Sequence, residues 1–239
     1  MKPAATAAVL IIGNEILSGK TQDANLQFMA QAFARLGIQL AEARVIRDEP
    51  EVIAAVVNEL RARYTYVFTT GGIGPTHDDL TAESIAQAFG RKLVVNEEAR
   101  RRIASSGREL NQARLKMAMV PEGASLIDNS VSFAPGFRIG NVFVLAGVPS
   151  IARAMFAACE HELEGGHPIL SESIDVYQRE GDFAAALEAI AKRYPEVDIG
   201  SYPFSREGRL GASLVVRGTD GALVAAAMAE IRTTLAPEG

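Results

Sequence analysis

A single cysteine, Cys159, among 239 residues excludes disulfides and cysteine metal sites within one chain and makes a reducing cytoplasm the default compartment. Long apolar runs are missing too. No stretch approaches the ~20 residues that cross a bilayer. Lys2-Pro3 followed by Ala4 to Ile12 has the look of a short leader, but it continues into Gly13-Asn14-Glu15 without a small-residue cleavage pattern, so export is not expected. Positive charge is in deficit, 24 Lys and Arg against 29 Asp and Glu for a net charge of -5, which argues against a nucleic-acid surface. Arg100-Arg101-Arg102 follows Glu97-Glu98 on a helical pattern and reads as a solvated face. There is no tandem repeat and no low-complexity tract. What remains, 48% hydrophobic and 22% charged residues, is ordinary for a globular protein, and the length suits one large domain or an ordinary one with a small one.

Apolar periodicity sets the order of elements. Val9 to Ile12 reads as a buried strand. From about Asp23, the residues Leu26, Met29, Ala30, Phe33 and Leu36 fall on one helical face, and Gly37 ends it. Ile38 to Ile46 is a second strand, Pro50 opens a helix buried through Ile53, Val56, Val57 and Leu60, and Tyr66 to Thr70 is a third strand. This alternation calls for right-handed crossovers and a parallel sheet covered on both faces, with ligands beyond the carboxyl ends of the strands. A short strand follows at Leu93 to Val95, then a helix capped by Asn96 and a helical pattern from Leu110 to Met119. Ser125 to Ile127, Phe133 to Ile139 and Val142 to Leu145 read as strands, the last two joined at Gly140-Asn141. Ser150 is placed to cap the helix containing Cys159. Glu164-Gly165-Gly166-His167-Pro168 is the best linker, which divides the chain into residues 1–165 and 166–239. The second part runs strand, helix, strand, strand, helix, as a small α+β unit of ferredoxin-like or KH-like order.

Between Tyr66 and Thr81 an apolar strand leads into Gly71-Gly72-Ile73-Gly74-Pro75-Thr76 and then His77-Asp78-Asp79. Glycines there allow positive φ and close approach, so that successive N–H groups converge on phosphate oxygens, and the helix from about Thr81 adds its positive end. A pair of carboxylates beside an anion calls for a hard cation between them. A tight strand-to-helix turn, with Asp78 or Asp79 capping the helix, stands beside that reading. Neither G-x-x-x-x-G-K-[ST] nor G-x-G-x-x-G is present.

The run resembles the Thr-Thr-Gly-Gly-x-Gly-Pro-Thr-x-Asp-Asp-x-Thr signature of the molybdopterin-binding (MoCF, MoaB/Mog-like) fold, in the CinA-like branch of competence/damage-inducible proteins. Matching motifs cover about residues 6 to 165, and Ile199-Gly200-Ser201-Tyr202-Pro203-Phe204 is similar to the second domain of that branch. The resemblance implies an α/β class: a three-layer, parallel-sheet molybdopterin-binding-like domain followed by a small α+β domain. It also implies a small-molecule nucleotide or pterin phosphate as partner, with neither nucleic acid nor membrane, and a homo-oligomer. CinA proteins often carry an amidohydrolase that deamidates nicotinamide mononucleotide, and FAD synthases an adenylyltransferase; neither activity is expected of these residues.

Carried onto this chain, the resemblance names Asp79 and Asp78 as catalytic and metal-binding, Glu15 of Gly13-Asn14-Glu15 as a further acid, and Lys116 as a cation for substrate phosphates. An exposed helix lysine and a solvated turn glutamate are the plain alternatives for the last two. Gly71, Gly72, Gly74 and the Thr76 hydroxyl form the cradle. Gly147, in Ala146-Gly147-Val148-Pro149 where the family has Pro-Gly-Val-Pro, is a close-approach glycine. Expected cofactors are Mg²⁺, Mn²⁺ or Co²⁺, with molybdopterin as a candidate ligand. The implied reaction is metal-dependent hydrolysis of an ADP-ribose-like or FAD-like phosphoanhydride. Molybdopterin adenylyl transfer and a non-catalytic nucleotide or pterin module are the other readings.

Overall fold

The computed structural model describes residues 5–235. The leader-like reading of Lys2-Pro3 lies outside them. Described residues up to 33 and from 38 to 166 form one compact unit; residues 34–37 and those from 167 onward form the other.

In chain order, the first unit contains β1 (Thr6–Ile12), α1 (Asn14–Leu17), α2 (Asn25–Arg35), β2 (Gln39–Ile46), α3 (Pro50–Arg63) and β3 (Tyr66–Thr70). Next come α4 (Thr81–Ala88), β4 (Leu93–Val95), α5 (Glu97–Ala104), α6 (Gln112–Lys116), β5 (Met119–Pro121) and β6 (Ser125–Ile127). β7 (Gly136–Ile139), β8 (Val142–Leu145), α7 (Pro149–Cys159) and a 3-10 turn at Glu160–Glu162 complete it. Six strands make one sheet in the order β2-β1-β3-β8-β7-β6. β2, β1, β3 and β8 run parallel, as the βαβ rhythm requires, and the β8-β7-β6 end is antiparallel. The antiparallel end follows from the tight β7-β8 hairpin, where Gly140 takes φ 57°.

β1 is buried from Ala7 through Ile12, the mark of a strand covered on both faces. On one face Leu10, Val67 and Val142 pack with Ile53, Val57, Leu60 and Ile85 of α3 and α4. On the other an aromatic core takes over. Phe68 stacks on Phe143 at 4.6 Å between centroids, and Phe33 and Phe156 of α2 and α7 meet Phe68 at 5.2 and 5.5 Å. Val67 and Phe68 serve opposite layers because successive strand residues alternate faces.

The second unit contains β9 (Leu170–Val176), α8 (Glu180–Arg193), β10 (Asp198–Arg206), β11 (Arg209–Gly218) and α9 (Gly221–Leu235), with an antiparallel sheet ordered β10-β11-β9. Its core joins Leu214 and Val216 to Phe183, Ile190, Met228 and Ile231 of the helices. Among the described residues no helix is long and apolar enough to cross a membrane.

Several boundaries depart from the sequence reading, each for a local reason. The pattern from Leu110 to Met119 yields only α6, because Met119 and Val120 leave the helix to pair with β4 as β5. Phe133, Ala134 and Pro135, just ahead of β7, are irregular and not strand. The Asn129 amide donates to the Ser132 hydroxyl and the Ala134 carbonyl, and its oxygen accepts from the N–H groups of Val131 and Ser132. Ser150 does not cap α7, whose first position is Pro149 after Val148. Asn96 does cap α5, accepting from the N–H groups of Glu98 and Ala99 at 3.0 Å each.

Phe68→Ala empties the centre of the aromatic layer, so the variant is expected to lose about 3–5 kcal/mol of stability. Urea unfolding of parent and variant measures it; a loss under ~1 kcal/mol would show that the layer repacks.

Candidate functional site

The site is assembled where β1 and β3 end side by side. Gly71, the first residue past β3, has φ 102°, and a Cβ there would stand 2.1 Å from the carbonyl oxygen of Ile12. Gly72 has φ 68°, and its Cβ would stand 2.2 Å from Thr81 Oγ1. Thr81 then stitches the turn to α4: its hydroxyl donates to the Gly71 carbonyl at 2.9 Å and its N–H to the Gly72 carbonyl at 3.0 Å. A Cβ on Gly74 would meet Asp79 Oδ2 at 2.7 Å. These glycines thus make room first for the protein's own atoms. Gly72→Ala strains the turn itself and does not report on binding alone.

Bent in this way, the loop leaves the N–H groups of Gly72, Ile73 and Gly74 with no acceptor among the described residues. They lie together at the edge of a cleft of about 550 Å³.

Asp79 closes the loop. Its Oδ2 accepts from Thr76 N–H at 2.8 Å and from the Thr76 hydroxyl at 2.5 Å, and neither Asp78 nor Asp79 caps α4, whose N-cap is Leu80 without a side-chain bond. The same Thr76 hydroxyl faces Asp78. Asp78 is held below the usual carboxylate range by that hydroxyl and its own backbone N–H, with His77 and Lys116 adding positive charge. His77 is almost wholly exposed and stands 4.0 Å from Asp78. Lys116 Nζ donates to the Thr76 carbonyl, so α6 brings its cation to the loop. It faces an adjoining recess of about 360 Å³, lined also by Glu83, Val120 and Phe137, that shares Gly72, Ile73, Gly74, Asp79 and Met117 with the cleft.

Across the cleft Glu15 folds back over Gly13, where a Cβ would lie 2.6 Å from its Oε1. Beside it stands Asp48, which the sequence reading passed over. Asp48 Oδ2 accepts from Asn14 N–H at 2.8 Å. Burial pushes its carboxyl above the usual range against that hydrogen bond, and the charges of Glu15 and Asp78 push it further. The signal was available in Arg47-Asp48-Glu49-Pro50, an acid just past β2 at the carboxyl edge of a parallel sheet. Asn25 was also missed. It is buried at the start of α2 and donates to the Gly147 carbonyl at 2.9 Å. Gly147 is indeed at close approach, but to the protein: a Cβ there would be 3.3 Å from Gly71 Cα. Glu15, Asp78, Asp79, Thr76, Gly71, Gly72, Gly74 and Gly147 all line the cleft. Among the described residues no three His, Cys, Asp or Glu side chains are grouped to hold a metal by themselves.

Comparison with known proteins follows the same division. A family described as "Probable molybdopterin binding domain" matches residues 8–164, and one described as "FAD synthase, middle domain" matches 168–239. A "CinA-like protein" of Desulfosudis oleivorans is 34% identical over 219 residues, covering 81% of this chain and 53% of the relative. A "Probable FAD synthase" of Caenorhabditis elegans is 31% identical over 259 aligned positions, covering 97% and 50%. The chain therefore spans about half the length of these two relatives. The crystal structure of CinA from Thermoplasma acidophilum matches with a TM-score of 0.63 at 34% identity, over 66% of this chain and 98% of that one.

The position of Asp48 has a thermodynamic consequence. A carboxyl that holds its proton more tightly when folded favours folding below the unfolded carboxylate range, and that contribution is lost as pH rises through the folded value. Asp48→Asn keeps an oxygen for Asn14 N–H and removes the charge. The variant is expected to melt above the parent at about pH 7, with the difference closing towards about pH 3. A melting difference independent of pH, or of opposite sign, would contradict the burial of this charge.

Proposed function

The chain belongs to the CinA-like branch of the molybdopterin-binding domain family, and on that premise we propose that it is a nucleotide-processing enzyme that hydrolyses the phosphoanhydride of an adenine dinucleotide such as ADP-ribose or FAD. The observation that carries this reading is the set of three backbone N–H groups, Gly72 to Gly74, left without acceptors among the described residues, beside carboxylates at the carboxyl edge of the sheet. Such groups suit phosphate oxygens, and they cost no reorganisation when charge develops there. The match to the middle domain of FAD synthase supports a dinucleotide.

In the proposed reaction the diphosphate lies along residues 72–76. Lys116, fixed to the Thr76 carbonyl, adds positive charge at its flank. Asp48 has Oδ2 occupied by Asn14 N–H, so its Oδ1 takes the proton of the water that attacks one phosphorus, a role suited to a carboxylate made more basic by burial. The bond from that phosphorus to the bridging oxygen breaks, and the other phosphate departs with the bridging oxygen as its anion. Asp79 holds the loop through Thr76 and keeps Oδ1 for other work. The donor set does not cage a cation, but it fits one that arrives with phosphate oxygens and needs one or two carboxylates, here Asp78 and Asp79. When bound, Mg²⁺, Mn²⁺ or Co²⁺ supplies charge neutralisation at the diphosphate.

Two observations favour other readings. The adjoining recess gives room for a second ring system, as molybdopterin adenylyl transfer requires, and the engagement of Asp79 by Thr76 is what a purely structural carboxylate in a binding module would show. Product mass after incubating the protein with a panel of dinucleotides and each cation separates these. Hydrolysis products support the proposal, and tight pterin retention without hydrolysis would replace it.

Asp79→Asn leaves an oxygen for the Thr76 bonds and removes the charge. Hydrolysis is expected to fall roughly 10²-fold, about 2.7 kcal/mol of transition-state stabilisation, with partial recovery at high metal concentration. Equal rates for variant and parent at limiting metal would leave Asp79 a loop lock only.

A further inference from the structure

Among the described residues of the second unit, α8 and α9 pack on the sheet face that carries Leu214 and Val216. Register fixes what the other carries: Tyr202 lies opposite Ser213 and Asp175, Gly200 opposite Val215 and Ser173, Asp198 opposite Arg217 and Ser171. Phe204 pairs with Gly211, and Arg206 with Arg209. Two glycines shape this face. A Cβ on Gly211 would be 2.6 Å from the Val176 carbonyl oxygen and 2.7 Å from the Phe204 ring, and one on Gly200 3.0 Å from the Tyr202 ring. Both rings therefore lie down over bare backbone instead of standing off the sheet. Phe204 reaches across Gly211 to meet Tyr177 edge-on at 5.5 Å.

Arginines sit on these rings. Arg206 is 4.1 Å from the Phe204 centroid, Arg209 is 4.3 Å from that of Tyr177, and Arg217 is 5.7 Å from that of Tyr202. Arg206 is neutralised by Asp175. Arg209 and Arg217 have no ion-pair partner among the described residues, although Asp198 stands opposite Arg217 in the register. Tyr177 and Tyr202 are each 47% exposed. An antiparallel face with flattened aromatic rings, and with two planar cations that have no ion pair within 4 Å among the described residues, suits alternating rings and phosphates.

We propose that this face binds single-stranded nucleic acid, with bases stacked on Tyr177 and Tyr202 and phosphates met by Arg209 and Arg217. The net charge of -5, read above as evidence against such a partner, is an average over the chain; at the distance of a bound phosphate the local cations decide. Size favours a strand over a second copy of the chain. Three strands about 4.8 Å apart and about nine residues long make a face of roughly 14 by 30 Å. Two copies packed face to face would bury only about 800 Å², short of the ~1,200 Å² of a stable interface. The same length accommodates roughly four nucleotides, the low end of single-strand sites.

The test uses the full chain, with fluorescence anisotropy of labelled oligouridine and oligothymidine of about a dozen nucleotides at low salt. The parent is expected to bind at least one of them; preference between the two reports whether a 2′-hydroxyl is read. The double variant Arg209→Ala, Arg217→Ala should bind at least about tenfold more weakly, with a salt slope shallower by roughly 1.4 for two lost phosphate contacts. Tyr202→Ala should weaken binding similarly and Tyr202→Phe should not, all with parental melting temperatures. No binding by the parent, or binding unmoved by these substitutions, overturns the proposal. Self-association of the parent that the same substitutions abolish, without oligonucleotide binding, assigns the face to a second copy and overturns it equally. None of these outcomes depends on hydrolysis at the cleft.

Discussion

The backbone of Gly71 lies so close to the end of β1 that a Cβ would stand 2.1 Å from the Ile12 carbonyl, and the geometry of the cleft follows from that contact. Because β1 and β3 are adjacent parallel strands, their ends emerge together, and one chain must turn away without a side chain. Gly71 does so at positive φ. Gly72 follows, Thr81 ties both carbonyls to the start of α4, and Gly147 packs against Gly71 with its own carbonyl held by Asn25. Three loops are thereby fixed against one another before any ligand arrives. The free N–H groups of Gly72 to Gly74 are a product of this packing.

Electrostatics then set the loop against the opposite wall. Lys116 and the open N–H groups make one side receptive to anions, whereas Asp48 and Glu15 stand opposite and Asp78 adds a like charge from the loop itself. Asp48 is raised by burial first and by its acidic neighbours second, so the folded protein holds a charge where water would solvate it better. Such tension is common where side chains are poised to handle protons or cations, and stability is then lower than the fold alone would allow.

Legibility in the sequence followed the range of the interaction. β3, the glycine turn and α4 could be read because they are contiguous, and the Asn96 cap because its bonds span three residues. The order of elements in the second unit was equally plain. The use of each glycine was not, since Ile12, Thr81 and Asp79 are brought to Gly71, Gly72 and Gly74 by the fold. Asp48 and Asn25 reach the site from β2 and α2 and carry no motif. Met119 falls in the helical pattern from Leu110 yet opens β5, because its partner β4 lies well upstream and pairing across that gap outweighs the local pattern. The open face of the second sheet shows the same limit: Gly211 matters only once Phe204 and Tyr177 are seen to flank it.

If residues 72–76 receive a diphosphate, their backbone amides must feel it, and amide chemical shifts report on that contact without requiring turnover. On titrating ¹⁵N-labelled protein with ADP-ribose, saturable shifts are expected at the Gly72, Ile73, Gly74 and Thr76 amides, larger than those elsewhere in the chain. Saturable shifts confined to other residues, with these four unmoved, would contradict the placement of the diphosphate on this loop.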